Sequence, residues 1–196
     1  MTDLGEALVE LTIRLEDEQR LDPLVDLLRP LASALIDSPA RRDLLHGTWM
    51  GHALHPLLTD LPIGFWTSAN VLDVVGGRRS RDASTQLVGL GVLSAAPTAL
   101  AGWAEWAVAD RQVQRVGVVH ALSNTAAIGL YAASWRARRQ ARHGRGVLLG
   151  LAGATVATVG GYLGGHLTAA RKVSTRHPVF EQSSAVHRRS SVGPAS

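Results

Sequence analysis

Hydrophobic residues in this chain fall into long blocks without charged side chains, and these blocks predict membrane-crossing helices. Three blocks are almost wholly apolar or small: Leu87 to Trp103, Val116 to Trp135 and Gly146 to Ala170. Each approaches or exceeds the roughly 20 residues that a helix needs to cross about 30 Å of hydrocarbon. We therefore predict three spans, at about residues 87–107, 116–135 and 147–169.

A fourth predicted span, at about residues 57–75, is less apolar. It contains Asp60, Pro62, Asn70 and Asp73, and a strict filter on charge would reject it. Its polar residues recur at helical spacing, with Thr67 seven positions after Asp60, so they form one stripe along a helix. A bundle that buries this stripe against neighbouring helices would accept the segment as a span.

The connections between the predicted spans are short, polar and rich in arginine. Consecutive helices joined by such loops must run antiparallel as neighbours. The predicted fold class is therefore all-α, an integral membrane four-helix bundle within a domain at residues 45–172, with an amphipathic helical segment before it.

Residues 1–44 form that N-terminal segment, in which leucines repeat at steps of three and four residues among acidic side chains. They predict two or three short helices that lie on the bundle or on the membrane surface. A solvated helical arm is the alternative. No standard secretory signal opens the chain, so insertion is expected from internal segments. Residues 173–196 are predicted to be a disordered tail.

Composition removes several classes of function. The chain has no cysteine, which excludes disulfides, cysteine-ligated zinc and iron–sulphur clusters held on cysteine. The net charge of +4 does not predict nucleic-acid binding, because the arginines occur in short bursts between apolar blocks, as loop charges do in membrane proteins. The partner that composition indicates is the lipid bilayer, and a homo-oligomer stays open.

Antiparallel topology gathers several chemically active residues at one membrane face, which we call side X and define as the end where the first span begins. The opposite end is side Y. The residues expected within about two helical turns of side X are His52, His55, Asp60, Glu105, His120, Asn124 and His166.

Several chemistries fit this layer. Two histidines on facing helices can ligate haem b without cysteine, and His120 and His166 are the predicted pair, with Asn124 as an orienting group. His52 and His55, with Asp60 or Glu105, suit a metal ion. There are two alternatives. The residues could form a structural hydrogen-bond network without a cofactor, or they could serve proton or quinone chemistry. No catalytic residue is predicted, because no nucleophile motif or phosphate loop is present.

Glycine recurs in the last span, and its spacing supports two interpretations. Gly160/Gly164 and Gly161/Gly165 are small residues four apart, which let helix backbones approach closely. Alternatively, these glycines leave room for a flat cofactor beside His166.

Three motifs resemble a known family, the bacterial domain of unknown function 2231, whose members are expected to span the membrane four times. The first is Gly51-His52-Ala53-Leu54-His55-Pro56 followed by Pro62-Ile63-Gly64, where Ala53 replaces a more usual proline. The others are Val118 to Asn124 and Gly160 to His166. The resemblance covers about residues 21–170.

Some members of that family carry a Rieske iron–sulphur domain, which implies a redox partnership for the membrane module. The predicted function is therefore a redox or electron-transfer module in the bacterial cytoplasmic membrane, with a Rieske-type or other redox protein as partner. The alternative is a non-enzymatic membrane scaffold with structural histidines. The arginine excess in the side Y loops favours side Y in the cytoplasm.

Overall fold

The described part of the chain, residues 2–173 of a computed structural model, is all-helical. The predicted tail lies outside these residues, apart from Val173. Short 3₁₀ segments and one π-helical turn, His166–Ala170, adjoin the α-helices. The seven α-helices are α1 (Thr2–Asp17), α2 (Asp22–Leu35), α3 (Pro39–His46), α4 (Leu54–Val75), α5 (Arg81–Ala107), α6 (Arg111–Arg139) and α7 (His143–Gly165).

Three helical segments of the described chain are long and apolar enough to cross a membrane: Gly77–Ala107, Arg111–Arg139 and His143–Ala170. They contain the three spans that the charge-free blocks predict. The fourth predicted span corresponds to α4, whose 22 residues are sufficient in length. It is not among the candidate spans, and it carries two carboxylates, Asp60 and Asp73, within its length.

The four long helices pack side by side in chain order, and α4 also touches α7. Two of the turns between them are short, since three residues separate α5 from α6 and three separate α6 from α7. Asp110 fixes the first of these turns, since its side chain accepts a hydrogen bond from Val113 N (2.9 Å) and caps α6.

A proline in α4 determines how that helix contacts α5. Pro62 has no N–H, so the carbonyl of Leu58, four residues earlier, loses its partner within the helix. The hydroxyl of Thr98 on α5 lies 3.0 Å from this oxygen. Thr98 thereby satisfies a backbone group that would be costly to leave unpaired away from water.

The N-terminal helices dock on the side X end of the long helices. Arg115 of α6 donates to both carboxylate oxygens of Asp22, each at 2.8 Å. The hydrogen bond from this guanidinium holds the pKa of the Asp22 carboxyl below its ordinary value. Arg111 pairs with Asp26 (2.8 Å), and a buried cluster of Val25, Ala32, Trp106 and Val118 joins α2 to α5 and α6.

Candidate functional site

A cavity of about 370 Å³ lies among the four long helices, in the half of the bundle towards side X. Its wall comes from the first half of α4, the second half of α5, the first half of α6 and the second half of α7. Most of the wall is apolar and includes three tryptophans, Trp66, Trp103 and Trp106. Five of the seven residues predicted for the side X layer line it: His55, Asp60, Glu105, His120 and Asn124.

One hydrogen bond fixes the tautomer of the His55 ring and leaves its second nitrogen as an acceptor. Its Nδ1 lies 2.9 Å from the carbonyl oxygen of Thr98. A carbonyl can only accept, so Nδ1 carries the proton and Nε2 is an acceptor. Among the described residues Nε2 of His55 has no hydrogen-bond partner, although the side chain lines the cavity. His55 therefore offers the cavity an oriented acceptor.

His120 makes the same kind of backbone bond, but its second nitrogen is also engaged. Its Nδ1 donates to the carbonyl of Gly160 at 2.8 Å. The Nδ2 amide of Asn124 then donates to Nε2 at 3.0 Å. Asn124 thus lies where the sequence placed it, one turn after His120, and it orients the ring by occupying the nitrogen that a metal would take.

His166 lies outside the cavity wall, so the structure does not bring the predicted pair of haem ligands to one site. Its Nε2 lies 2.7 Å from Glu16 Oε1 of α1. Arg171 also donates to Glu16, from Nε at 2.5 Å and from Nη2. The Glu16 side chain is only 2% exposed. This cluster joins the N-terminal segment to the end of α7. The sequence does not distinguish Glu16 from the other acidic residues of α1, so this contact was not predicted.

The residues predicted to hold a metal ion are spread over different environments. His52 is exposed, with its Nδ1 3.2 Å from the carbonyl of the adjacent Ala53. Asp60 and Glu105 both line the cavity, but Asp60 is exposed whereas Glu105 is buried, with 7% of its surface exposed. Within residues 2–173 no three His, Asp or Glu side chains lie close enough together to hold a metal ion.

The glycines of α7 divide into two sets, and each set suits one of the two interpretations. A Cβ on Gly160 or Gly164 would meet the side chain of Asn124 or His120, so these two permit close packing of α7 on α6. A Cβ on Gly161 or Gly165 would meet nothing within 4 Å, and both residues line the cavity. The second set therefore keeps a space open.

Comparison with known proteins gives one match. Residues 51–177 fit the family model described as "Predicted membrane protein (DUF2231)". The chain belongs to the DUF2231 family. No curated protein and no solved structure matches it. The DUF2231 match confirms the resemblance in the three motifs, and with the three candidate spans it makes this a membrane protein.

A second polar site of the DUF2231 chain lies at side Y. Arg138 binds Asp73 through two bonds, Nη1 to Oδ1 at 2.8 Å and Nη2 to Oδ2 at 2.5 Å. Ser84 lies 3.0 Å from Nη1 and Ser134 lies 3.1 Å from Nε. Ser134 in turn donates to the carbonyl of Gly146 at 2.6 Å. The network connects α4, α5, α6 and α7, and both charged side chains are at most 1% exposed.

The predicted third span ends at residue 135, so Arg138 falls in the arginine-rich connection after it, and this network was not predicted. The helix α6 extends to Arg139, so Arg138 lies in its last turn and not in the loop. Helical spacing gave a usable signal, since Ser134 and Arg138 are four residues apart and share one face. The carboxylate of Asp73 near the end of the fourth predicted span was the other half of that signal, because a charge inside a membrane helix needs a partner.

Proposed function

We propose that this DUF2231 protein is a redox module of the bacterial cytoplasmic membrane whose cavity binds a membrane-soluble electron carrier of the quinone class. One observation carries the proposal: a mostly apolar cavity of about 370 Å³ that contains an oriented histidine acceptor, His55, and the carboxylate Asp60. Ligand sites are typically concave, of about 300–1,000 Å³, and largely apolar with a few convergent polar groups.

The proposal includes α4 as a fourth membrane span. Its exposed face carries Leu57, Ile63, Val71, Val74 and Val75, all at least half exposed. Two of its polar side chains are paired inside the bundle instead. Asp73 is buried against Arg138, and Asn70 donates to the hydroxyl of Tyr131 at 3.1 Å. Asp60, Thr67 and Ser68 are the exceptions, since they are exposed, and of these Asp60 also lines the cavity. A largely apolar outer face, with the buried polar groups paired inside the bundle, is the arrangement that a bilayer requires of a polar span.

The polar groups of the cavity match the chemistry of a quinone and its reduced quinol. A quinol hydroxyl can donate to the neutral Nε2 of His55, and a protonated His55 can donate to a quinone carbonyl. Quinone reduction takes up protons together with electrons, and Asp60 and His55 are groups that exchange protons. A Rieske-type or other redox protein is the proposed electron-exchange partner, because this chain has no cysteine with which to hold an iron–sulphur cluster.

Haem b is the second candidate, with a changed pair of ligands. His55 and His120 each donate Nδ1–H to a backbone carbonyl, and this is the kind of hydrogen bond that orients metal-ligating histidines. His166 is excluded from this role in the described conformation, since its Nε2 faces Glu16. Ligation by His120 would require Asn124 to release Nε2.

The test is a quinone titration of the detergent-purified protein, followed through quenching of the cavity tryptophans. Wild-type protein and His52→Ala should bind a short-chain benzoquinone equally, because His52 is exposed and does not line the cavity. His55→Ala should bind it about three- to tenfold more weakly, as expected for the loss of one hydrogen bond. A titration that shows no saturable quenching would sink the quinone proposal.

A reduced-minus-oxidised absorption spectrum of the same protein, produced with ample haem precursor, separates the other readings. A sharp α-band that disappears in both His55→Ala and His120→Ala would establish haem b. If the spectrum is flat and no quinone binds, the remaining hypothesis is a membrane scaffold, in which the histidines only support the helices.

A further inference from the structure

The side X cavity has a gap towards the bilayer between α4 and α7. Those two helices make the fewest contacts of the four neighbouring pairs. Their described polar contacts lie near side Y, where Nε2 of His143 of α7 is 3.6 Å from Oδ1 of Asp73 and where the side chain of Asn70 lies against Gly150. Towards side X the helices are joined by no such polar contact among the described residues.

Residues on both edges of the gap line the cavity and are also exposed. On the α4 edge these residues are Asp60 and Ile63, and on the other edge they are Gly161 and Gly165 of α7 with Thr168 of the π-helical turn that follows it. The two glycines face open space, so no side chain of α7 closes the gap at these positions. On the other side of the cavity, by contrast, α5 and α6 are closely packed, since Trp106 lies where a Cβ on Gly117 would go.

We infer that the ligand is a lipid-tailed molecule that enters laterally from the bilayer, with its ring in the cavity and its hydrocarbon tail between α4 and α7. This inference rests on the proposed function and adds the route and the tail. On the α4 edge of the gap the apolar side chains of Leu57 and Ile63 are half exposed, and they flank the exposed carboxylate of Asp60. A hydrocarbon tail can occupy such a gap without leaving any backbone polar group unpaired.

The experiment compares two glycines of the membrane helices that both have room for a side chain. Gly161 lines the cavity, whereas Gly129 of α6 does not, and a Cβ on either would meet nothing within 4 Å. Gly161→Leu should fill the gap, and Gly129→Leu is the matched control. The probes are a dimethoxy-methyl-benzoquinone head group without a tail and the same head group with a decyl tail.

Quenching of tryptophan fluorescence then gives four affinities for the two variants, measured beside the wild type in the same detergent. Gly161→Leu should weaken binding of the decyl quinone at least about tenfold, the size expected when one large side chain is forced into an occupied space. It should leave the tail-less quinone unchanged, and Gly129→Leu should change neither.

Equal weakening of both probes by Gly161→Leu, or no weakening of either, would overturn the lateral route while leaving the quinone site intact. Failure of the wild-type protein to bind either probe would instead overturn the proposed function, and the route with it. If Gly161→Leu does not fold, Gly165→Leu serves as the second variant, because its position is also open and also lines the cavity.

Discussion

The two halves of the helical bundle treat their polar groups differently. Towards side Y, Arg138 and Asp73 satisfy each other inside the bundle, and Trp66, at the side Y end of the cavity wall, stacks on Tyr131 with the ring centroids 4.1 Å apart. Towards side X the bundle is hollow, and His55, which lines the space, has one ring nitrogen without a hydrogen-bond partner among the described residues. Polar groups inside a membrane are costly unless they are paired or used. The comparison indicates that the side Y half holds the fold together, whereas the side X half leaves the space that we propose for a ligand.

Glycine has two roles in the side X half of α7 and one in the side Y half. In the side Y half a Cβ on Gly153 would lie 3.0 Å from the ring of Tyr131, so this glycine admits the aromatic ring. In the side X half Gly160 and Gly164 likewise admit side chains of α6, whereas a Cβ on Gly161 or Gly165 would meet nothing within 4 Å. Glycines that border open space are therefore a feature of the side X end of α7.

The strongest way to break the side Y half is to remove the arginine at its centre. Arg138→Ala leaves the carboxylate of Asp73 buried without its main partner, which should cost about 3–5 kcal/mol of stability. Thermal unfolding in detergent, followed by tryptophan fluorescence, measures the change. Arg136→Ala, an exposed position one half-turn earlier, is the control and should alter stability by less than about 0.5 kcal/mol.

The double variant Arg138→Leu with Asp73→Leu sharpens this result. Removing both charges abolishes the uncompensated carboxylate, so the double variant should be more stable than Arg138→Leu alone. If Arg138→Ala and Arg136→Ala unfold at the same temperature, the buried pair does not stabilise the bundle.

A pair of glycine substitutions compares the two halves directly. Gly91→Ala would place its Cβ against the indole of Trp66, which is 7% exposed and stacked on Tyr131, so the ring has little freedom to move. We expect it to destabilise the protein by about 1–3 kcal/mol. Gly161→Ala meets open space and should stabilise α7 by about 0.5–1 kcal/mol through helix propensity.

Thermal unfolding of the two alanine variants beside the wild type is the measurement, and opposite signs are the expected outcome. Equal destabilisation by Gly161→Ala would mean that the side X half is as tightly packed as the side Y half.

Periodicity and charge-free length predict the helices well because they depend on local sequence. The membrane segments and the gathering of His55, His120 and Asn124 at one end follow from antiparallel topology, which short loops enforce. Side-chain partners are a different matter, since they depend on helix rotation and on contacts far apart in the chain. His166 meets Glu16 across 150 positions, and no pattern within α7 indicates that contact.

The same limit explains why Arg138 was placed in a loop. A charge at the end of an apolar block is usually solvated, and only the position of Asp73 on a neighbouring helix makes this arginine a buried residue. The cavity is also invisible to sequence patterns, because Gly161 and Gly160 are adjacent and identical yet face different surroundings.

The smallest expected effect concerns the N-terminal helices that cover the side X end, and it depends on pH. The hydrogen bond from Arg115 lowers the folded-state pKa of Asp22 below its ordinary value of 3.8. The unfolded chain therefore takes up the proton more readily, so this contribution to docking is complete above about pH 4 and is lost as the pH falls through the folded-state pKa. Asp22→Asn should weaken docking at neutral pH and remove part of its acid sensitivity.

Hydrogen–deuterium exchange of peptides from α1 and α2, corrected for the intrinsic effect of pH, measures this docking from pH 6 down to about pH 3, the window that the depressed pKa defines. Asp37→Asn, at an exposed position in the turn after α2, is the control and should follow the wild type. Parallel exchange profiles for wild type and Asp22→Asn would show that the pair with Arg115 does not hold the N-terminal helices. Faster exchange in Asp22→Asn that is confined to the peptides of α1 and α2 would instead show that these helices detach from the side X end while the side Y half stays folded.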